Sequence, residues 1–148
     1  MKTWVHTLAS LILAAILYKW AGLLSGIVLI SGVLIDGDHF LWHLYNTKNF
    51  SLKKCYDYFI KTSEKGRVHE NDGILLIFHT IEALIALAVL SFYSKIILVF
   101  TIGILLHYAL DLIWLYSIPG SFIADHSLIH WIIKTNSKAL NNLNLKKP

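Results

Sequence analysis

Four apolar runs, each closed by polar or basic residues, set the plan of this chain. The first covers about residues 4–18 and the second about 21–35, joined by a turn at Lys19-Trp20-Ala21-Gly22. A third covers 74–93 and, after a tight connection at Ser94-Lys95, a fourth covers 96–118 and stops at Pro119-Gly120. With Pro119 and Pro148 the only prolines, long helices are barely interrupted, and the pattern predicts an all-α fold. The first two helices would each be only ~22 Å long at 1.5 Å per residue, short of a ~30 Å hydrocarbon layer. They are therefore expected to pair tightly or to sit in locally thinned bilayer. Gly22, Ser25, Gly26, Ser31 and Gly32 are small enough to let helices approach closely.

Between the second and third runs the chain changes character. Lys48, Lys53, Lys54, Lys61, Lys65 and Arg67 are interleaved with Trp42, Tyr45, Phe50, Tyr56, Tyr58 and Phe59. Beside membrane helices, such a basic and aromatic stretch reads as an interfacial segment over 40–72, lying on lipid headgroups. Nucleic-acid binding is the weaker reading of the same residues. A second interfacial piece is expected over 121–134, too short and polar to span. Lys2 followed by the apolar core of 8–17 resembles a signal peptide, but the apolar pattern resumes after Trp20 with no clear cleavage site.

Composition sharpens this picture. Of 148 residues 56% are apolar, and the mean hydropathy is +0.60, too high for a water-solvated fold. The expectation is one domain, 1–148, forming an integral membrane bundle of about four transmembrane helices with a basic, aromatic-rich cytoplasmic loop. Four crossings put both termini and the 38–72 loop on one side. That side carries eleven of the thirteen Lys and Arg residues, leaving Lys19 and Lys95 opposite. Positive charge stays inside, so both termini are expected to be cytoplasmic, in the cell (inner) membrane. Cys55 is the sole cysteine, which excludes an internal disulfide and a thiolate metal cluster.

The chemistry gathers at Leu34-Ile35-Asp36-Gly37-Asp38-His39, where a long apolar run ends in two carboxylates and an imidazole. Oxygen and imidazole donors of this kind suit Zn²⁺ or Mn²⁺, and Gly37 is expected to let the backbone bend so that they converge. Reversal of successive helices brings other groups to the same depth: His6, His79 with Glu82, and His107 with Asp111. His69, Glu70 and Asp72 stand before the third helix, and whether they join is open. His107 and Asp111 are four apart, and His79 and Glu82 three apart, so each pair is expected on one helical face. Ionisable residues inside membrane helices are costly and suggest function. Each pair alone could be an ordinary interhelical hydrogen bond, and His6 alone a satisfied interfacial histidine. His126 and His130 are taken as surface residues.

The order His6, Asp36-Gly37-Asp38-His39, His79 and His107-Tyr-Ala-Leu-Asp111 resembles the membrane-bound metal-dependent hydrolases, a family distantly similar to zinc-dependent phospholipase C. That family shows an N-terminal Thr-His, a Pro-Asp-Ile-Asp-His segment, a His-Arg-Gly-x-Thr-His-Ser segment and a later His-x-x-x-Asp. Here Ile35 replaces the proline, and Phe78-His79-Thr80-Ile81-Glu82 lacks the Arg-Gly and the serine. The resemblance, over residues 1–118, implies a divalent metal held by His6, Asp36, Asp38, His39, His79, His107 and Asp111. The expected activity is hydrolysis of a phosphoester in a lipid or lipid-linked substrate at the cytoplasmic face, with Asp38 or Glu82 as general base. The rival readings are a membrane protein with a structural metal, a metal carrier, and haem held between His79 and His107.

Overall fold

The computed structural model describes residues 3–64, 74–117 and 126–144. Seven α-helices follow in order among the described residues: α1 (Thr3–Ala21), α2 (Ile27–Leu34), α3 (Gly37–Thr47), α4 (Leu52–Glu64), α5 (Ile81–Ser91), α6 (Lys95–Ser117) and α7 (Leu128–Asn144). No strand occurs among the described residues. The helical stretches Thr3–Thr47 and Lys95–Trp114 each contain an 18-residue window, of mean hydropathy 1.9 and 2.3, that is long and apolar enough to cross a membrane. α5 is equally apolar but has 11 residues.

The boundaries differ from the sequence pattern at three places, each for a local reason. α1 runs on through Lys19 and Trp20 to Ala21 and turns only at Gly22, whose φ of +59° lies in the left-handed region that favours glycine. The second apolar run is not one helix. Gly22–Gly26 is wound as a tighter 3-10 turn before α2 begins, consistent with two glycines and a serine in five positions. The third run is helical only from Ile81. Thr80 is extended (φ −91°, ψ 149°) and its Oγ1 accepts from Ala83 N at 3.3 Å, an N-cap that fixes where α5 can start. Residues before it are extended or, at Ile77–His79, in a short 3-10 turn. His79 and Glu82 therefore stand on opposite sides of a helix start and share no helical face.

The interfacial stretches also resolve into helices. Residues 40–72 contain most of α3 and all of α4, which pack on each other as a hairpin; α7 starts at Leu128, inside the second expected piece, and continues past it. His69, Glu70, Asp72 and the connection at 118–125 lie outside the described residues.

α6 is the centre of the bundle, in contact with α1, α2 and α5. Around a small apolar core of Ala14, Ala21, Val28 and Val99 the interior carries many small and polar groups: Ser10, Ser31, Gly32, Thr101, Gly103, His6 and His107 are buried. Many large apolar side chains face out, with Leu23 88%, Ile16 67% and Ile113 62% exposed. In water this distribution would be inverted, because apolar burial is what holds a soluble fold together. Against lipid tails it is the expected one, since helices there associate through close packing of small residues. Two of the buried hydroxyls are satisfied within their own helices: Ser31 Oγ donates to Ile27 O (3.0 Å) and Thr101 Oγ1 to Ile97 O (2.8 Å). The tightest approach is at Gly103, where a Cβ would lie 2.9 Å from Val28 O and 3.1 Å from Val28 Cα, and would strike Ser31 Oγ.

The two ends of the bundle are unlike. At one, the Lys95 ammonium donates to Trp20 O at 2.9 Å and lies 4.6 Å from the indole centroid, a cation and an aromatic at a helix–helix turn. At the other are the start of α1, the α2–α3 turn, the start of α5 and the second half of α6, which carry His6, Asp36 to His39, His79 and His107 with Asp111.

Candidate metal centre

α2 ends at Leu34 and α3 begins at Gly37, so Asp36 lies in the turn between two helices. Its backbone is pinned by His39 N–H donating to Asp36 O (3.1 Å). The bend expected of Gly37 is made at Ile35-Asp36 instead; Gly37 is the first residue of α3 and does not take a left-handed φ. The Asp36 carboxylate faces α6, where His107 and Asp111 present one face at a spacing of four. His79 approaches from the 3-10 turn ahead of α5.

Four donor atoms meet there: Asp36 Oδ1, His79 Nε2, His107 Nε2 and Asp111 Oδ2. Five of their six separations are 3.1 Å (His107–Asp111), 3.4 Å (His107–Asp36), 3.4 Å (His79–His107), 3.8 Å (His79–Asp111) and 4.0 Å (His79–Asp36). A tetrahedron of ligands with bonds of ~2.0–2.1 Å has edges of ~3.3–3.4 Å, within that spread. The imidazoles are oriented from behind. His107 Nδ1 donates to Gly32 O at 2.8 Å, and His79 Nδ1 donates to Asp38 Oδ2 at 3.0 Å. With those nitrogens protonated, each neutral ring turns the lone pair of Nε2 to the common point. Two lone pairs and two carboxylate oxygens converge at one point, an arrangement that a metal ion can satisfy. The donor set is one that could hold a metal ion.

The other candidate residues are arranged around these four. Asp38 is buried and its oxygens are taken by His79 Nδ1, Phe78 N (3.1 Å) and His39 Nδ1 (3.0 Å), so it orients His79. His39 Nδ1 also lies 3.4 Å from Asp36 Oδ1, and Asp38, His39 and His79 form a second, smaller group of possible ligands. His6 is buried and stacks on His107 (centroids 3.9 Å apart, 17° between planes). Its Nε2 is 3.2 Å from Asp111 Oδ1, off the line of a good hydrogen bond, so it backs the oxygen that faces away from the centre.

Glu82 stands elsewhere. Its carboxylate accepts from Ser127 Oγ (2.7 Å), Leu128 N (2.9 Å) and Ile129 N (3.2 Å), which makes it the cap of α7 and removes it as a general base. The clamp is reciprocal, because Ile81 N donates to His126 O at 2.8 Å. Tyr108 and His126 also reach the centre's edge. Tyr108 Oη donates to His79 O at 2.8 Å and receives the Nδ1–H of His126 at 3.0 Å. His126, taken from sequence as a surface residue, is half-buried on Tyr108; His130 is exposed. Tyr108 follows His107 directly, but nothing in the sequence joins it to a segment eighteen residues on. Cys55 is buried in α4, where burial and the nearby Asp36 carboxylate raise its thiol above the ordinary range, and it is not among the residues whose donor atoms converge here.

Replacing Glu82 by alanine removes the acceptor of three donors. Backbone amides at the start of α7 are expected to exchange roughly 5- to 30-fold faster, the range of a lost cap, with bound metal unchanged. Hydrogen exchange and elemental analysis of the same sample check this; a metal loss matching that of Asp36→Ala would return Glu82 to the centre.

No family model, curated protein or solved structure matches the chain.

Proposed function

We propose that this chain is a metal-dependent hydrolase of a phosphoester, carried by a lipid or lipid-linked substrate, at the cytoplasmic face of the cell membrane. The proposal includes four membrane crossings with both termini inside, on the lysine and arginine asymmetry described above. The observation that carries it is the meeting of four acceptor atoms from three separate segments, two of them on carboxylates open to water: Asp36 and Asp111 are 30% and 28% exposed at the side chain, while His79 and His107 are buried. A divalent ion bound there would lower the pKa of a water and neutralise charge on phosphate oxygens. Asp36, His79, His107 and Asp111 hold it; Asp38 fixes the tautomer of His79, and His6 backs Asp111. The half-exposed oxygens of Asp36 and Asp111 lie where solvent reaches them, so a proton released at the centre has an acceptor within it. The resemblance to membrane-bound metal-dependent hydrolases supports the same reading.

A structural ion is the second reading, favoured by the donor count, since four protein ligands can close a tetrahedral site. Carriage across the bilayer is disfavoured: in the described residues beyond the centre, the buried hydroxyls of Ser31 and Thr101 are spent on backbone carbonyls. The test is phosphate release from a panel of phospholipids and lipid-linked phosphoesters, with sealed vesicles assayed for metal flux. Chelator-sensitive hydrolysis lost in Asp36→Ala, without flux, is expected. Flux without hydrolysis would establish a carrier, and tightly held metal with neither activity a structural ion.

A further inference from the structure

The α3–α4 hairpin carries an open groove of about 370 Å³ lined by Leu41, Leu44, Tyr45, Lys48 and Phe50. That volume is within the ~300–1,000 Å³ of small-molecule sites. Its walls are apolar except for one amine, and its side chains stand clear of the protein: Tyr45 is 74% and Phe50 77% exposed. Lys48 ends α3 in the left-handed conformation (φ 53°, ψ 27°), a place where glycine or asparagine is usual, and its Nζ lies 4.7 Å from the Tyr45 ring centroid. The amine is thus held at the rim of an apolar trough. Lys53 and Lys54 follow in the exposed first turn of α4, behind the exposed Leu52.

The groove also has a defined level. α3 starts one residue after Asp36, so the trough begins five residues beyond a ligand of the centre, at the end of the bundle where the apolar helices emerge. Apolar walls, a rim cation and two further lysines match one occupant, an anionic phospholipid of the adjoining leaflet: acyl chain against Leu41, Leu44 and Phe50, phosphate against Lys48.

We propose that this groove is a binding site for one anionic phospholipid, with Lys48 as its phosphate contact. It requires no catalysis at the metal centre, so the two proposals fail independently. A free anion would need several convergent donors, whereas among the described residues Lys48 is the one charged group lining the trough; the apolar walls select the lipid.

Native mass spectrometry of the full chain, released from micelles containing phosphatidylglycerol or phosphatidylcholine, tests it. The wild type is expected to retain one phosphatidylglycerol in preference to phosphatidylcholine. Lys48→Gln should reduce that retention roughly fivefold, the worth of one lysine at an anionic surface. Lys95→Gln, at the opposite end of the bundle, should leave it unchanged and controls for folding. Equal retention of the two lipids, or an unchanged Lys48→Gln, overturns the proposal. So does displacement of the lipid by millimolar inorganic phosphate, which would identify a free-anion site, or a lipid-free dimer, which would identify a second copy as the occupant.

Discussion

Asp36→Ala, His107→Ala and Asp111→Ala are each expected to strip the purified protein of bound divalent metal, while His130→Ala keeps the wild-type content. The three positions contribute three of the four converging donor atoms, and His130 is exposed on α7. Loss of an outer carboxylate that only orients a ligand typically weakens binding ~10- to 100-fold, and loss of a direct ligand should exceed that. Asp38→Asn supplies the intermediate case. Its amide oxygen can still accept a hydrogen bond from His79 or Phe78 but the side chain no longer offers two anionic oxygens, so metal should bind more weakly and yet reach full occupancy when metal is in excess. Elemental analysis after dialysis separates the two classes, and titration with added Zn²⁺ or Mn²⁺ ranks them. The rival is a proton: a charged His107 between Asp36 and Asp111 would satisfy the same atoms with no ion at all. In that case the wild type would carry no metal, and all five variants would match it.

Much of this cluster is legible in the sequence, and the parts that are not have identifiable causes. His107 and Asp111 can be paired from their spacing because α6 is regular through both. Asp36 can be placed because an apolar run ends in it. His79 and Glu82 mislead. A spacing of three implies a shared face only inside a helix, and the Thr80 cap puts a helix start between them. Once the chain turns there, His79 falls inward to Asp38 and Glu82 outward to α7. The same limit applies to Asp38 and Asp36, which are equivalent in the sequence. Only the direction of the α2–α3 turn makes Asp36 a donor to the common point and Asp38 the partner of His79. Small residues in the apolar runs signal close helix packing, but the particular contact of Gly103 with Val28 depends on how far α6 slides along α2. Periodicity carries no information on that register.

That register supports the last prediction, which joins the packing to the centre. Gly103→Ala adds a Cβ against the backbone of Val28, whose carbonyl cannot rotate away, so α2 and α6 must separate by several tenths of an ångström. Overpacking of this kind costs about 1–3 kcal/mol. The centre stands one turn further along α6, and His107 Nδ1 donates to Gly32 O on α2, so the same separation lengthens the bond that aims His107 Nε2. Thermal stability in detergent and metal affinity should therefore fall together. Gly26→Ala is the control: a Cβ there meets nothing within 4 Å and the residue has an ordinary φ of −60°, so neither property should fall. Thermal melts and metal titrations of the two variants, run in one detergent, read both quantities. A Gly103→Ala protein that melts with the wild type would contradict the α2–α6 register. One that melts early but binds metal with wild-type affinity would contradict the coupling through Gly32 and leave the packing intact.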